Sequence, residues 1–229
     1  MLEPSPRNER LVCFANSQKS GGRCLAGKIY ADGKFSEWIR PISARETEEL
    51  SKSEIQMSNG TEPAILDVIF VPLIAHKPSY HQRENWLIDT SSKISKIGHL
   101  APLLAVGAVD DVKVLWNLGS NSANGFNDKV SPADLSNIHP SLYLIRVSSL
   151  KIVIHDELGR RAHRGSFTHS GNDYVLKITD LVLEQSFKDH PYGTYAYNGC
   201  LLTLSLTEKP WYEFHYKLIA GVIQLGEEK

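Results

Sequence analysis

The chain has 229 residues, 41% of them hydrophobic and 22% charged, enough apolar content for one large domain or two small ones, which excludes disorder as the default. A formal net charge of −1 excludes bulk attraction to nucleic acid or an anionic membrane, so any such contact has to come from a local patch. Three cysteines, Cys13, Cys24 and Cys200, cannot all pair within one chain and have no zinc spacing, so they read as reduced thiols.

The first segment, MLEPSPRNER, places Glu3, Arg7, Glu9 and Arg10 where a signal peptide needs an apolar core, and the expectation is a cytoplasmic protein with no membrane partner. Short β-type runs follow at 10–15, 24–30 and 35–40, separated by the turn signals Gly21-Gly22 and Asp32-Gly33. The pattern then changes. Ser43 with Glu46 makes a capping box, and Arg45/Glu49 and Glu48/Lys52 are opposite charges at helical spacing, which predicts a charged, solvated helix over 44–57 closed by Asn59-Gly60. Runs at 64–75 and 86–88 complete the first half.

Residues 93–139 connect the halves. They hold the longest uncharged apolar run, 100–109, far below membrane-spanning length. The turn-rich SNSANGFND follows, then Ser131-Pro132 with Asp134, a helix start with proline at its first position. The second half repeats the earlier order: runs at 142–154, 162–168 and 174–179, a short helix near 180–187, then 200–206 and 214–225. Strand, strand, strand, helix, strand, strand occurs twice, and in an OB-fold a helix commonly lies between the third and fourth strands. The expected class is therefore mainly β, two tandem OB-like five-stranded barrels with one or two short helices. The expected division is 1–118, an N-terminal OB-like domain with an interdomain segment; 119–140, a connecting loop and short helix; and 141–229, a C-terminal OB-like domain. Residues 100–109 and 112–118 offer more apolar length than a flexible linker needs and are expected to lie buried between the barrels. One β-rich domain spanning the whole chain also fits the length.

The run VCFANSQKSGGRCLAG followed by EWIRPIS, with YVLKITD and HYKLIAGVI further on, resembles a prokaryotic family described as dual OB-containing domains. A similar cysteine, Asn-Ser, Gly-Gly-Arg-Cys and Trp-Ile-Arg-Pro pattern recurs there. The resemblance implies two tandem OB-like barrels and nucleic-acid-linked work in bacterial anti-phage defence or repair, and it assigns no catalytic residue.

Two stretches carry candidate binding chemistry. Arg10, Lys19, Arg23 and Lys28 make residues 10–31 cationic until Asp32. Within them Gly21-Gly22 would let backbone N–H groups approach a ligand, while Asn16, Ser17, Lys19, Ser20 and Arg23 offer polar groups suited to phosphate. A hairpin with solvated polar residues is the other reading, and no Walker A pattern is present. Trp38 and Arg40, two apart on a strand, share a face and could stack a base and hold a phosphate, or belong to the core. The second stretch, HDELGRRAHRGSFTHSGNDY, interleaves Arg160, Arg161 and Arg164 with Phe167 and Tyr174, a pattern that fits a single-strand platform or an exposed hairpin. His155, His163 and His169 match no compact metal motif. No G-x-S-x-G, H-E-x-x-H or deaminase signature is present.

The expected function is a non-catalytic module binding nucleic acid, single-stranded by preference, or a nucleotide, with no cofactor and no metal. A protein-interaction subunit of a multi-component system is the alternative, and a nucleotide-acting enzyme a third.

Overall fold

The computed structural model describes residues 7–226 apart from 20, 139, 209 and 212, and does not describe the side chains of Lys19, Ser136 and Asn137. The described chain divides into two compact units, one ending at Ala108 and the other beginning at Val109.

In the first unit β1 (Arg7–Lys19) and β2 (Gly22–Ala31) form a hairpin, and β2 is followed by β3 (Lys34–Ile42). The β2–β3 turn is Asp32-Gly33, both residues at positive φ, the conformation a two-residue hairpin turn demands. Helix α1 (Lys52–Ile55) precedes β4 (Asp67–His76), β5 (Asn85–Ile88) and β6 (Ser95–His99). The pairing order is β1-β2-β3-β5-β4, with β4 returning to β1, β3 and β5 parallel, and β6 added against β4. This closes a five-stranded barrel. Closure is possible because β1 is long: residues 7–12 lie against β4 and 11–19 against β2, with a register shift between Cys13 and Ala15 that bends the strand. Alternation sends Leu11, Cys13, Leu25, Ile39, Ile69, Val71 and Leu73 into the core.

The second unit uses the same plan. Its order is β7 (Lys129–Val130), β8 (Leu142–Glu157), β9 (Arg160–His169), β10 (Asn172–Ile178), α2 (Leu181–Ser186), β11 (Gly193–Leu206) and β12 (His215–Gln224). β8-β9-β10-β12-β11 returns to β8, and the one parallel pair within it is again third strand with fifth, β10 with β12. Its core gathers Ile145, Leu150, Ile152, Phe167, Tyr174, Leu176, Leu202 and Ile219. The chain is mainly β, two tandem OB-like barrels with short helices.

Three sequence expectations need correction. The helix expected over 44–57 is only the single turn of α1. Its capping box is Ser51 with Glu54, not Ser43 with Glu46. Glu48 sits at positive φ, and buried Leu50 exchanges backbone hydrogen bonds with Arg23 at 2.8 and 2.9 Å, so tertiary pairing overrides the charge spacing. Residues 119–140 are not a separate connector: Phe126 pairs with Val175 on β10 and β7 pairs with β12, which makes them part of the second unit. The division accordingly falls at Ala108/Val109 rather than at 118. Cys13 lies opposite Gly27 and Cys24 opposite Ser17, so the hairpin does not place these two cysteines side by side. Among the described residues no helix is long and apolar enough to cross a membrane.

Candidate nucleic-acid interface

The β1–β2 hairpin gathers its own polar groups inward. Gly22 is opposite Lys19 in register, and a Cβ there would fall on the Glu49 side chain and within 2.6 Å of the Leu50 carbonyl oxygen. Gly22 therefore admits the protein's own backbone. Asn16 Nδ2 donates to the Pro63 carbonyl at 2.9 Å, and Arg23 Nε pairs with Glu62 at 2.8 Å. Ser17 is buried, and Gly21 supplies the positive φ of the turn. Lys19's side chain and Ser20 lie outside the described residues. Asn16 and Arg23 thus meet at Glu62, which already neutralises the cation.

Trp38 and Arg40 lie on the face of β3 opposite to Ile39, as alternation requires, but both are buried. Arg40 forms an ion pair with Glu84 at 3.0 Å, with only 3% and 4% of the two side chains exposed. Trp38 is packed edge-on to Phe14, and Lys28 lies 5.2 Å from its ring. Neither residue presents an open platform.

On the second barrel Phe167 and Tyr174 stack on each other, 5.4 Å between centroids, inside the core, where the Tyr174 hydroxyl accepts from the Leu115 N–H. This corrects their reading as base-stacking rings. Arg164, on the opposite face of β9, is buried and bonded to Glu157 at 2.8 Å, and Asn124 donates to the same Glu157 oxygen at 3.0 Å. Burial works to raise the Glu157 carboxyl, but the bonds from Asn124 and Arg164 and the charges of Arg164 and His155 outweigh it and hold it below the usual range. The histidines are dispersed: His155 lies 3.7 Å from Glu157, His163 lies 3.9 Å from Glu184, and His169 Nε2 is 2.7 Å from the Val112 carbonyl. Burial, then the charges of Arg161 and His155, pushes the His163 imidazolium down. Among the described residues no three His, Cys, Asp or Glu side chains gather as a metal site needs.

Arg160 and Arg161 have a different setting. They follow the tight β8–β9 turn, Leu158-Gly159, with both turn residues at positive φ. Arg160 is exposed. Arg161 donates to the Phe187 carbonyl at 2.8 Å and to the His190 carbonyl, which ties β9 to the segment leaving α2. Its guanidinium lies 5.3 Å over the ring of Tyr192, itself 57% exposed. Beside it the exposed His190 ring packs 5.3 Å from Tyr195 and 4.8 Å from Phe187. Arg161, an exposed tyrosine and an exposed imidazole thus share one rim of the barrel, while Arg160, the preceding strand residue, is exposed on the other face of β9, that of Arg164. Sequence reasoning found the arginines and missed the rings, because it sought both in one stretch. The signal was HPYGTYAY, an aromatic-rich run directly after a helix.

The model of a family described as dual OB-containing domain matches residues 9–222. No curated protein matches the chain. One similar solved structure, described as "Molecular basis for abrogation of activation of pro-inflammatory cytokines", is 10% identical with a TM-score of 0.40, over 97% of this chain and 94% of its own. Another, described as "Crystal structure of the tetrameric p202 HIN2", is 12% identical with a TM-score of 0.31, over 97% and 95%. Neither bears on what this chain binds.

Proposed function

The chain belongs to the dual OB-containing domain family, and we propose that it binds single-stranded nucleic acid on the rim of its second barrel, without catalysing a reaction. The observation that carries this reading is the Arg161 guanidinium held over the exposed Tyr192 ring, with Arg160 exposed one residue before it. An exposed ring stacks any base through its π-face, and guanidinium groups pair with phosphate oxygens. The β8–β9 hairpin that presents the arginines is the first-to-second-strand loop of its barrel, a loop that borders the oligonucleotide-binding face in OB-folds. Two arginines in a chain of nearly neutral net charge supply a local attraction, so the binding is salt-sensitive but not indiscriminate.

The setting we propose, a bacterial defence or repair system in the cytoplasm, rests on the family resemblance. A protein-docking role is favoured by one observation, the exposed pair Leu103 and Leu104 on the first unit.

Fluorescence anisotropy with labelled single-stranded DNA, single-stranded RNA and duplex at several salt concentrations tests the binding. Tyr192→Ala weakens single-strand binding by about 1–3 kcal/mol with little change in salt slope. Arg160→Ala flattens the slope by roughly 0.7 for one lost phosphate contact. Wild-type protein that binds none of the probes at low salt contradicts the proposal, as does a Tyr192→Ala variant that binds as the wild type does.

A further inference from the structure

The outer face of β1, β2 and β3 carries a second cluster of rings and cations. Phe14 lies 5.9 Å from Phe35 and 5.9 Å from Trp38, and Tyr30 lies 4.8 Å from Phe35. Lys28 sits 5.2 Å from the Trp38 ring and Arg10 sits 5.4 Å from that of Tyr30. Leu25, Ile39 and Leu11 on the same strands point into the barrel, so this cluster is not the barrel core. Rings interleaved with cations on the second and third strands are what an OB barrel presents to an oligonucleotide.

A segment of the same unit covers the cluster. Residues Pro102–Ala108 form a tight 3-10 stretch of seven residues, and the Ala108 carbonyl accepts from Lys28 Nζ at 2.7 Å. The Gly107 backbone lies against the Phe35 ring, where a Cβ would stand at 3.9 Å. The fully buried side chains of the segment are small, Ala105 and Ala108, with Pro102 and Val106 half-buried, while Leu103 and Leu104 are 60% and 61% exposed. A segment built as permanent core would turn its leucines inward. Hydrogen bonds in 3-10 turns are poorer than in α-helices, and runs beyond three or four residues are uncommon, so the conformation itself resists little.

We infer that Pro102–Ala108 is a displaceable strap over a second single-strand site, in which bases stack on Trp38 and Phe35 and a phosphate oxygen replaces the Ala108 carbonyl on Lys28. This rests on the proposed single-strand binding. An anionic oxygen is a stronger acceptor for an ammonium than a neutral carbonyl, which gives the exchange its direction. Displacing the strap lowers the apparent affinity of the site by the fraction of molecules in which it is open.

The test uses the full chain and a fluorescein-labelled thymidine 20-mer. Ala105→Asp places a charge at a buried contact of the strap and raises affinity about tenfold by opening it, and adding Trp38→Ala removes that gain. In the wild type, saturating oligonucleotide increases hydrogen exchange of the amides over residues 103–108. A folded Ala105→Asp variant with unchanged or weaker binding, or strap amides that stay protected at saturation, overturns the inference. If Ala105→Asp does not fold, the wild-type exchange measurement decides alone. Binding that responds to Tyr192→Ala while the strap stays closed overturns this inference and leaves the second-barrel site standing; absence of any binding overturns both.

Discussion

The two barrels share one pairing order and put it to different uses. In the first, the outer face of the first three strands is aromatic and covered: Phe14, Trp38 and Lys28 are buried, with Pro102–Ala108 holding Lys28 and lying against Phe35. In the second, the same face is polar, with Arg164 tied to Glu157 and Asn124 reaching over to the same carboxylate. Among the described residues each barrel also buries one lysine that donates to a carbonyl outside its strands and lies near a ring. Lys28 reaches Ala108 and Trp38 on the outside of its barrel, whereas Lys217 reaches Asn117 at 2.6 Å and lies 5.7 Å from the core ring Tyr174. Strand order therefore fixes where a ligand face can be, and the residues pointing outward decide whether it is open.

The comparison breaks most sharply at Arg40. Arg40→Met leaves Glu84 as a buried charge without its ion-pair partner and costs about 3–5 kcal/mol in urea unfolding. A cost under about 1 kcal/mol would mean that the pair is solvated and the face already open.

Lys217 sharpens the comparison from the other side. Burial pushes its ammonium down from 10.5 to about 7, against the opposing influence of Asp128. Between about pH 7 and pH 10.5 the unfolded chain holds a proton that the folded chain has released, so this group makes stability rise with pH across that window. Lys217→Met abolishes the rise between pH 7 and pH 9. Chemical denaturation at pH 7, 8 and 9 checks this, and a wild type with flat stability over that range would show the lysine to be hydrated.

Smallest is the effect at Arg23. Its pair with Glu62 is partly exposed, 20% and 32% for the two side chains, so Arg23→Ala costs about 1 kcal/mol or less in thermal unfolding and leaves oligonucleotide affinity unchanged. A clear loss of affinity would restore the opening hairpin as a ligand loop.

These outcomes follow local rules that the sequence exposes unevenly. Asp32-Gly33 announces its turn because the φ values required are written in the residue types. Asp180 likewise announces α2, where its side chain accepts from the N–H groups of Val182 and Leu183. Of two Ser-x-x-Glu signals, Ser43 with Glu46 and Ser51 with Glu54, only the second caps a helix, and the choice is made by Leu50 pairing with Arg23, a contact invisible in local spacing. Trp38 shows the same limit. Alternation gives the face it points to, while the segment that holds the neighbouring Lys28 and lies against Phe35 comes from far along the chain. Arg161 was legible as a cation, yet its ring, Tyr192, arrives from the other side of α2.

Photocrosslinking of an iodouracil-substituted single strand to the full chain, with the attachment sites mapped by mass spectrometry, tests the central claim most directly. Crosslinks at Tyr192, Tyr195 or His190 are the predicted result. Crosslinks confined to the hairpin residues 16–23, or none at saturating oligonucleotide, would contradict it.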